Sequence, residues 1–181
     1  MKRTVLALAF LLVTSSVASA QFAPSTENLR GLKGVRLMVM FNRAEGLDEA
    51  QRPEVLKMLE DDVTEKLQKA GVPLFRTADE VTNTGFPYLV VLVTLDKPNG
   101  YLNPIVTEVK LFQRVRLLRD SSIETDAVTW SLNGVAGPKV DVAKLRRQVA
   151  SEIDRFVADY SSVNPKLMVT SNNVKLKDQK K

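Results

Sequence analysis

Two rhythms of apolar residues run through this chain, one repeating every two positions and one every three or four. The first is clear in Gly34 to Asn42, GVRLMVMFN, where Val35, Leu37, Val39 and Phe41 share one face and Arg36, Met38 and Met40 the other. Both faces are largely apolar, which predicts an interior strand. The second rhythm takes over from Leu47 to Ala70. Val55, Leu59, Val63 and Leu67 recur every four residues, Pro53 suits a first turn, and Gly71 with Pro73 stops the run. This predicts a helix. Pro73 to Thr77 then reads as a short strand, and Ala78 to Pro87 as a loop.

Tyr88 to Leu95 is nearly all apolar and β-branched, the pattern of a strand buried on both faces. Lys97-Pro98-Asn99-Gly100 marks a turn. Val106 to Asp120 follows as a long strand, and Asp120 to Glu124 turns the chain. Thr125 to Val135 is a further strand, with Val128, Trp130 and Leu132 expected on one face. Gly137-Pro138 interrupts. Asp141 to Tyr160 predicts a second helix, with Asp141 as N-cap and Val142, Leu145, Val149, Ile153, Phe156 and Tyr160 as its apolar stripe. Asn164-Pro165 ends it, and Leu167 to Val169 adds a short edge strand or packs down.

The expected order is β-α-β-β-β-β-α. Strands joined by short turns form a meander, and two helices with single apolar stripes pack on one face of it. The fold class is α+β: a two-layer sandwich with a mostly antiparallel sheet of about five strands. Residues 29–169 form one domain, preceded by a flexible lead-in over 21–28 and followed by a basic disordered tail over 170–181.

The first twenty residues read differently. Lys2 and Arg3, the apolar run Thr4 to Val13 and Ala18-Ser19-Ala20 make the three parts of a secretory signal over 1–20, in order. That run is far shorter than the roughly twenty residues that span a bilayer. The expectation is a periplasmic or secreted protein with no transmembrane segment after cleavage. The chain has no cysteine, so it carries neither a disulfide nor a lipid anchor on a lipoprotein cysteine. Charge reinforces part of this picture. The formal net charge is +5, yet Lys2 and Arg3 lie in the leader and four lysines against Asp178 lie after Thr170, leaving 20 basic and 20 acidic side chains between residues 21 and 169. A nucleic-acid-binding domain carries its own basic footprint, so nucleic acid is not an expected partner.

Candidate chemistry is sparse. With no histidine or cysteine, the usual serine- and cysteine-nucleophile triads and the common zinc ligands are excluded. Gly31 and Gly34 are isolated, and no phosphate-cradling loop is present. Glu60-Asp61-Asp62 and Glu65 are the densest acidic cluster; adjacent helical residues diverge, so they read as a solvated helix face. Trp130, alone on an alternating strand, reads as core. No catalytic, metal-binding or cofactor-binding residue is assigned.

One stretch stands out, VTEVKLFQRVRLLRD at 106–120. Its odd positions are apolar apart from Thr107, Gln113 and Arg119, so Gln113 is expected to be buried. Its even positions set Phe112 among Lys110, Arg114 and Arg116. Glu124 or Asp126 on the next strand could supply cross-strand partners to these cations. Two helices cover only one sheet face, and the residues left over include Met38 and Met40. Lys110, Phe112, Arg114, Arg116, Met38 and Met40 therefore make the candidate interaction surface, an apolar patch with a charged rim. The expected function is an exported, non-enzymatic binding or assembly module of the bacterial cell envelope, its partner an envelope protein or a second copy. The alternatives are a carboxylate-dependent enzyme acting on an extracytoplasmic glycan and an anion-binding protein using the basic strand.

Short recurring features carry a resemblance. Gly34-Val35 at a strand start, Leu67 to Val72 at a helix end, the apolar strand Leu89 to Leu95, Gln113 to Arg119, and Thr129-Trp130 resemble bacterial exported proteins of unknown function. The element order is similar to that of the amino-terminal domain of the periplasmic protein TolB. Related small α/β domains occur in envelope assembly proteins and lipoproteins, and the resemblance implies an adaptor or assembly role without catalysis.

Overall fold

The run apolar on both faces, Tyr88–Leu95, lies inside the sheet as β2. A computed structural model of the chain describes residues 26–82, 84–95, 104–136 and 141–165. Among them the strands are β1 (Arg36–Ala44), β2, β3 (Ile105–Leu117) and β4 (Asp120–Ala136). The helices are α1 (Arg52–Lys69), α2 (Ala78–Thr82) and α3 (Val142–Val163). The sheet order is β1-β2-β3-β4, with β1 parallel to β2 and the other two pairings antiparallel. α1 makes the crossover that the parallel pair requires. The result is a two-layer α+β sandwich.

Several elements differ from the sequence expectation. The sheet has four strands rather than about five, because Pro73 to Thr77 makes only an isolated bridge, Val35 to Leu74. The segment Ala78 to Pro87, read as a loop, holds α2. Thr77 caps this helix with its hydroxyl accepting from Glu80 N, and the Glu80 carboxylate accepts from Thr77 N and Arg76 N at 2.9 and 2.8 Å. These backbone donors, Thr77 first, hold the Glu80 carboxyl below its usual range. β4 begins at Asp120, so the chain turns at Leu118 and Arg119 rather than over Asp120 to Glu124. The lead-in ends in a 3₁₀ turn at Thr26–Leu29, with Leu29 fully buried. The segment Leu167 to Val169, expected to add an edge strand or pack down, lies outside the described residues.

The long helices end as their sequences dictate. Gly71 adopts φ 77°, and Gly71 N and Val72 N donate back to Gln68 O and Leu67 O at 3.0 and 2.9 Å, closing α1 with a Schellman turn. Asp141 caps α3 by accepting from Ala143 N and Lys144 N at 2.9 and 3.2 Å. The far end of α3 holds the amino-terminal segment. Asn164 accepts from Gly31 N and donates to Leu29 O, both at 2.8 Å, and the Tyr160 hydroxyl donates to Leu32 O at 3.0 Å.

The core lies between the helices and one sheet face. Three rows cross that face in register: Leu37, Leu89, Leu111 and Trp130; Val39, Val91, Val109 and Leu132; and Phe41, Val93, Thr107 and Gly134. Val55, Leu59, Val63 and Leu67 of α1 and Leu145, Val149, Ile153, Phe156 and Tyr160 of α3 close over them. Trp130 is buried, stands edge-on to Phe156 with centroids 5.2 Å apart, and donates to Asp159 Oδ2 at 3.1 Å. Val128 departs from the period of two. Leu111 faces Trp130 but Phe112 faces Val128, so a bulge sends Val128 to the opposite face, where it is exposed.

Candidate functional site: the second sheet face

The alternation that buries one face builds the other. Its rows are Arg36, Tyr88, Phe112 and Val128; Met38, Val90, Lys110 and Ser131; and Met40, Leu92, Glu108 and Asn133, with Thr94, Val106 and Val135 beyond. Apart from Arg36, which donates to Arg76 O at 2.8 Å, the β1–β2 half is apolar, and the β4 half is more polar. Met38, Val128 and Val135 are 38%, 46% and 65% exposed, whereas Val90, ringed by longer side chains, is 8% exposed. Lys110 and Glu108 sit side by side on β3 between the two halves, 2.7 Å apart, with only 26% and 30% of their side chains exposed.

The six residues expected at this surface share the face, but they divide into two groups. Met38, Met40, Lys110 and Phe112 lie within the four-stranded part, and Phe112 is half-buried rather than exposed. Arg114 and Arg116 lie beyond the start of β2, where only β3 and β4 continue as a two-stranded arm. The arm neutralises them. Arg114 Nε donates to Asp126 Oδ1 and Arg116 Nε to Glu124 Oε1, both at 2.9 Å, and each pair stands directly opposite in register. The Asp126 hydrogen bond raises the Arg114 pKa above its ordinary value. The Arg114 guanidinium also lies 4.1 Å from the Phe86 ring centre. Phe86 adopts φ 54°, a left-handed conformation uncommon for a bulky side chain, beside the hydrogen bond from Arg114 N to Gly85 O. Gln113 is half-buried on the helix side, accepting from the Thr129 hydroxyl at 2.6 Å.

Other chemistry-bearing groups are elsewhere and engaged. On α1, Asp61 pairs with Lys57 at 2.7 Å, Asp62 with Arg146 at 2.6 Å, and Glu65 with Lys69. Arg146 with Asp62 and Lys66 with Asp154 bridge a groove of about 520 Å³ between α1 and α3. Asp159, beside Trp130, also meets Arg155 at 3.2 Å. Among the described residues no set of three or more acidic, histidine or cysteine side chains is placed to hold a metal ion. No helix among them is long and apolar enough to cross a membrane.

One group escaped sequence reasoning altogether. Glu152, on the buried side of α3, is 2% exposed. Its Oε1 accepts from the Thr107 hydroxyl and, at 2.9 Å, from Gln148 Nε2, while Oε2 has no partner. Burial pushes its carboxyl above the usual range, and the Thr107 and Gln148 hydrogen bonds only partly oppose this. Gly134 of β4 lies directly beneath, where a Cβ would overlap both Glu152 and Gln148. The glycine in an otherwise alternating strand was the available signal.

No family model matches the chain, and no curated protein is significantly similar to it.

Proposed function

We propose that the protein is an exported, non-enzymatic binding or assembly module of the bacterial cell envelope, docking a partner protein on the second sheet face. One observation carries the reading: a four-stranded sheet with both long helices on one side and Met38, Met40, Tyr88, Val90, Leu92 and Phe112 on the other. An apolar patch rimmed by charge is the ordinary composition of a protein interface. The secretory-type leader expected over residues 1–20 and the resemblance to exported bacterial proteins support an envelope location. The anion-binding alternative has less support, since Lys110, Arg114 and Arg116 each already hold a carboxylate.

Photo-crosslinking in envelope extracts of the native host tests the proposal. A crosslinking residue replacing Phe112 or Val128 is expected to capture a protein that the same residue at Lys57, exposed on α1, does not. Identical captured sets at all three positions would remove the second face from the function.

A further inference from the structure

The sequence of β1 belongs in the middle of a sheet, yet β1 stands at its edge. Val35 turns its backbone away from β2, donating to Pro73 O at 3.0 Å and accepting from Phe75 N at 2.9 Å. Arg36 turns the other way and donates to Pro87 O at 2.8 Å. Backbone groups alternate along a strand, so Leu37, Val39 and Phe41 aim their N–H and C=O outward as Val35 does. Among the described residues these outward groups have no partner.

Edge strands are ordinarily protected by charges, proline or a covering segment. The β4 edge follows this rule, with Asp120, Glu124 and Asp126 along it and the Asn28 amide donating to Thr129 O at 2.6 Å. From Leu37 to Phe41 the β1 edge has no charge, no proline and no glycine. The chain itself bounds this window at both ends, through the Val35–Leu74 bridge and the register irregularity between Phe41 and Arg43.

We infer that this window pairs antiparallel with the same window of a second copy, about a two-fold axis at Val39. That register sets Val39 against its copy and Leu37 against Phe41, and each such pair exchanges both backbone hydrogen bonds. Met38 then faces Met40. Every opposed side chain is apolar, and no like charges meet. α1 packs over β1, so the axis also brings α1 beside its copy and continues the helix layer. A contact this short falls below the roughly 800 Å² per partner of a standard stable interface. The dimer is therefore weak, with a dissociation constant between about 1 µM and 1 mM.

The purified chain alone tests this, so the outcome is separate from that of docking on the second face. Sedimentation equilibrium is expected to show a concentration-dependent dimer. Val39→Pro removes one outward N–H from each copy, hence both bonds of the central pair, and leaves the β1–β2 ladder intact; it is expected to weaken the dimer about tenfold. The chain has no cysteine, so a second measurement reads the register directly. Met38→Cys mixed with Met40→Cys should oxidise to a mixed disulfide dimer, because directly opposed residues in a non-hydrogen-bonded pair lie about 4.5 Å apart at Cα. Each variant alone should crosslink far less, since its cysteines would stand diagonally at about 7–8 Å. A chain that stays monomeric up to millimolar concentration overturns the inference. So does a dimer that forms no mixed disulfide, whatever Val39→Pro does to folding.

Discussion

Replacing Glu152 by glutamine should stabilise the protein at neutral pH and remove part of its pH dependence. The side chain is 2% exposed, and Oε2 has no hydrogen-bond partner. Leaving a buried acceptor unsatisfied costs about 1–3 kcal/mol, and more when it is charged. The sign follows from linkage. Burial raises the folded pKa of this carboxyl above its ordinary value, so the folded state holds its proton to higher pH than the unfolded chain does. Stability from this group is therefore greatest below the unfolded pKa of about 4.3 and falls as pH rises through the folded pKa. Each pH unit between the two values removes about 1.4 kcal/mol. Glutamine keeps the shape and the acceptor for Thr107 but carries no charge. Urea unfolding, followed by fluorescence of the single, buried Trp130, should show equal stability near pH 4. At pH 7 to 8 the variant should lead by about 1–3 kcal/mol. Glu27, Glu80 and Asp120, whose pKa values are lowered by Arg30, Thr77 and Ser122 respectively, give slopes of the opposite sign. They do so in both proteins, so the difference between the curves isolates Glu152. Parallel curves would refute the reasoning.

Two further substitutions probe the same fold. Gly134→Ala places a methyl group into Glu152 and Gln148 and should cost about 1–3 kcal/mol in urea unfolding; adding Glu152→Ala should recover part of that loss, and strict additivity would argue against the contact. Asn164→Ala removes the bonds to Gly31 N and Leu29 O that hold the amino-terminal segment to α3. It should cost about 1–3 kcal/mol and hasten proteolysis between Thr26 and Lys33, whereas an unchanged cleavage rate would place the anchoring elsewhere.

The parts of this fold that were legible in the sequence are those set by local periodicity. The stripes of α1 and α3, the Asp141 cap, the burial of Trp130 and the two-faced character of β3 all follow from spacing within one element. The misses have a different origin. Whether β1 lies inside the sheet or at its edge depends on pairings with residues some fifty positions away, such as Met38 with Val90, and no local pattern records that. The bulge that turns Val128 outward left no mark that alternation could read. The turn expected over Asp120 to Glu124 falls earlier, because Glu124 and Asp126 lie opposite Arg116 and Arg114 and the ladder runs through. α2, like the glycine beneath Glu152, does carry a local signal: Thr77 followed three residues later by Glu80 is a capping box.

The candidate surface was legible as a set of residues, though not as an arrangement. Alternation placed Met38, Met40, Lys110 and Phe112 on one side of the sheet, and register then put the methionines on the open edge strand and Phe112 two strands inward. A partner seated on the face and a copy paired along the edge would therefore meet at Met38 and Met40. The two can still be separated by position. Val39 packs its side chain against the core and turns only its backbone outward, so Val39→Pro acts on the edge. Phe112 lies across β2 from that edge and reports on the face alone. The Lys110–Glu108 pair marks the border between the apolar half and the polar half of the face. A partner that reached past this border would have to desolvate two charges, and their cost would grow as water was excluded. The apolar half, from β1 to Phe112, is thus where a docked protein would gain most, and it is the half that adjoins the β1 edge.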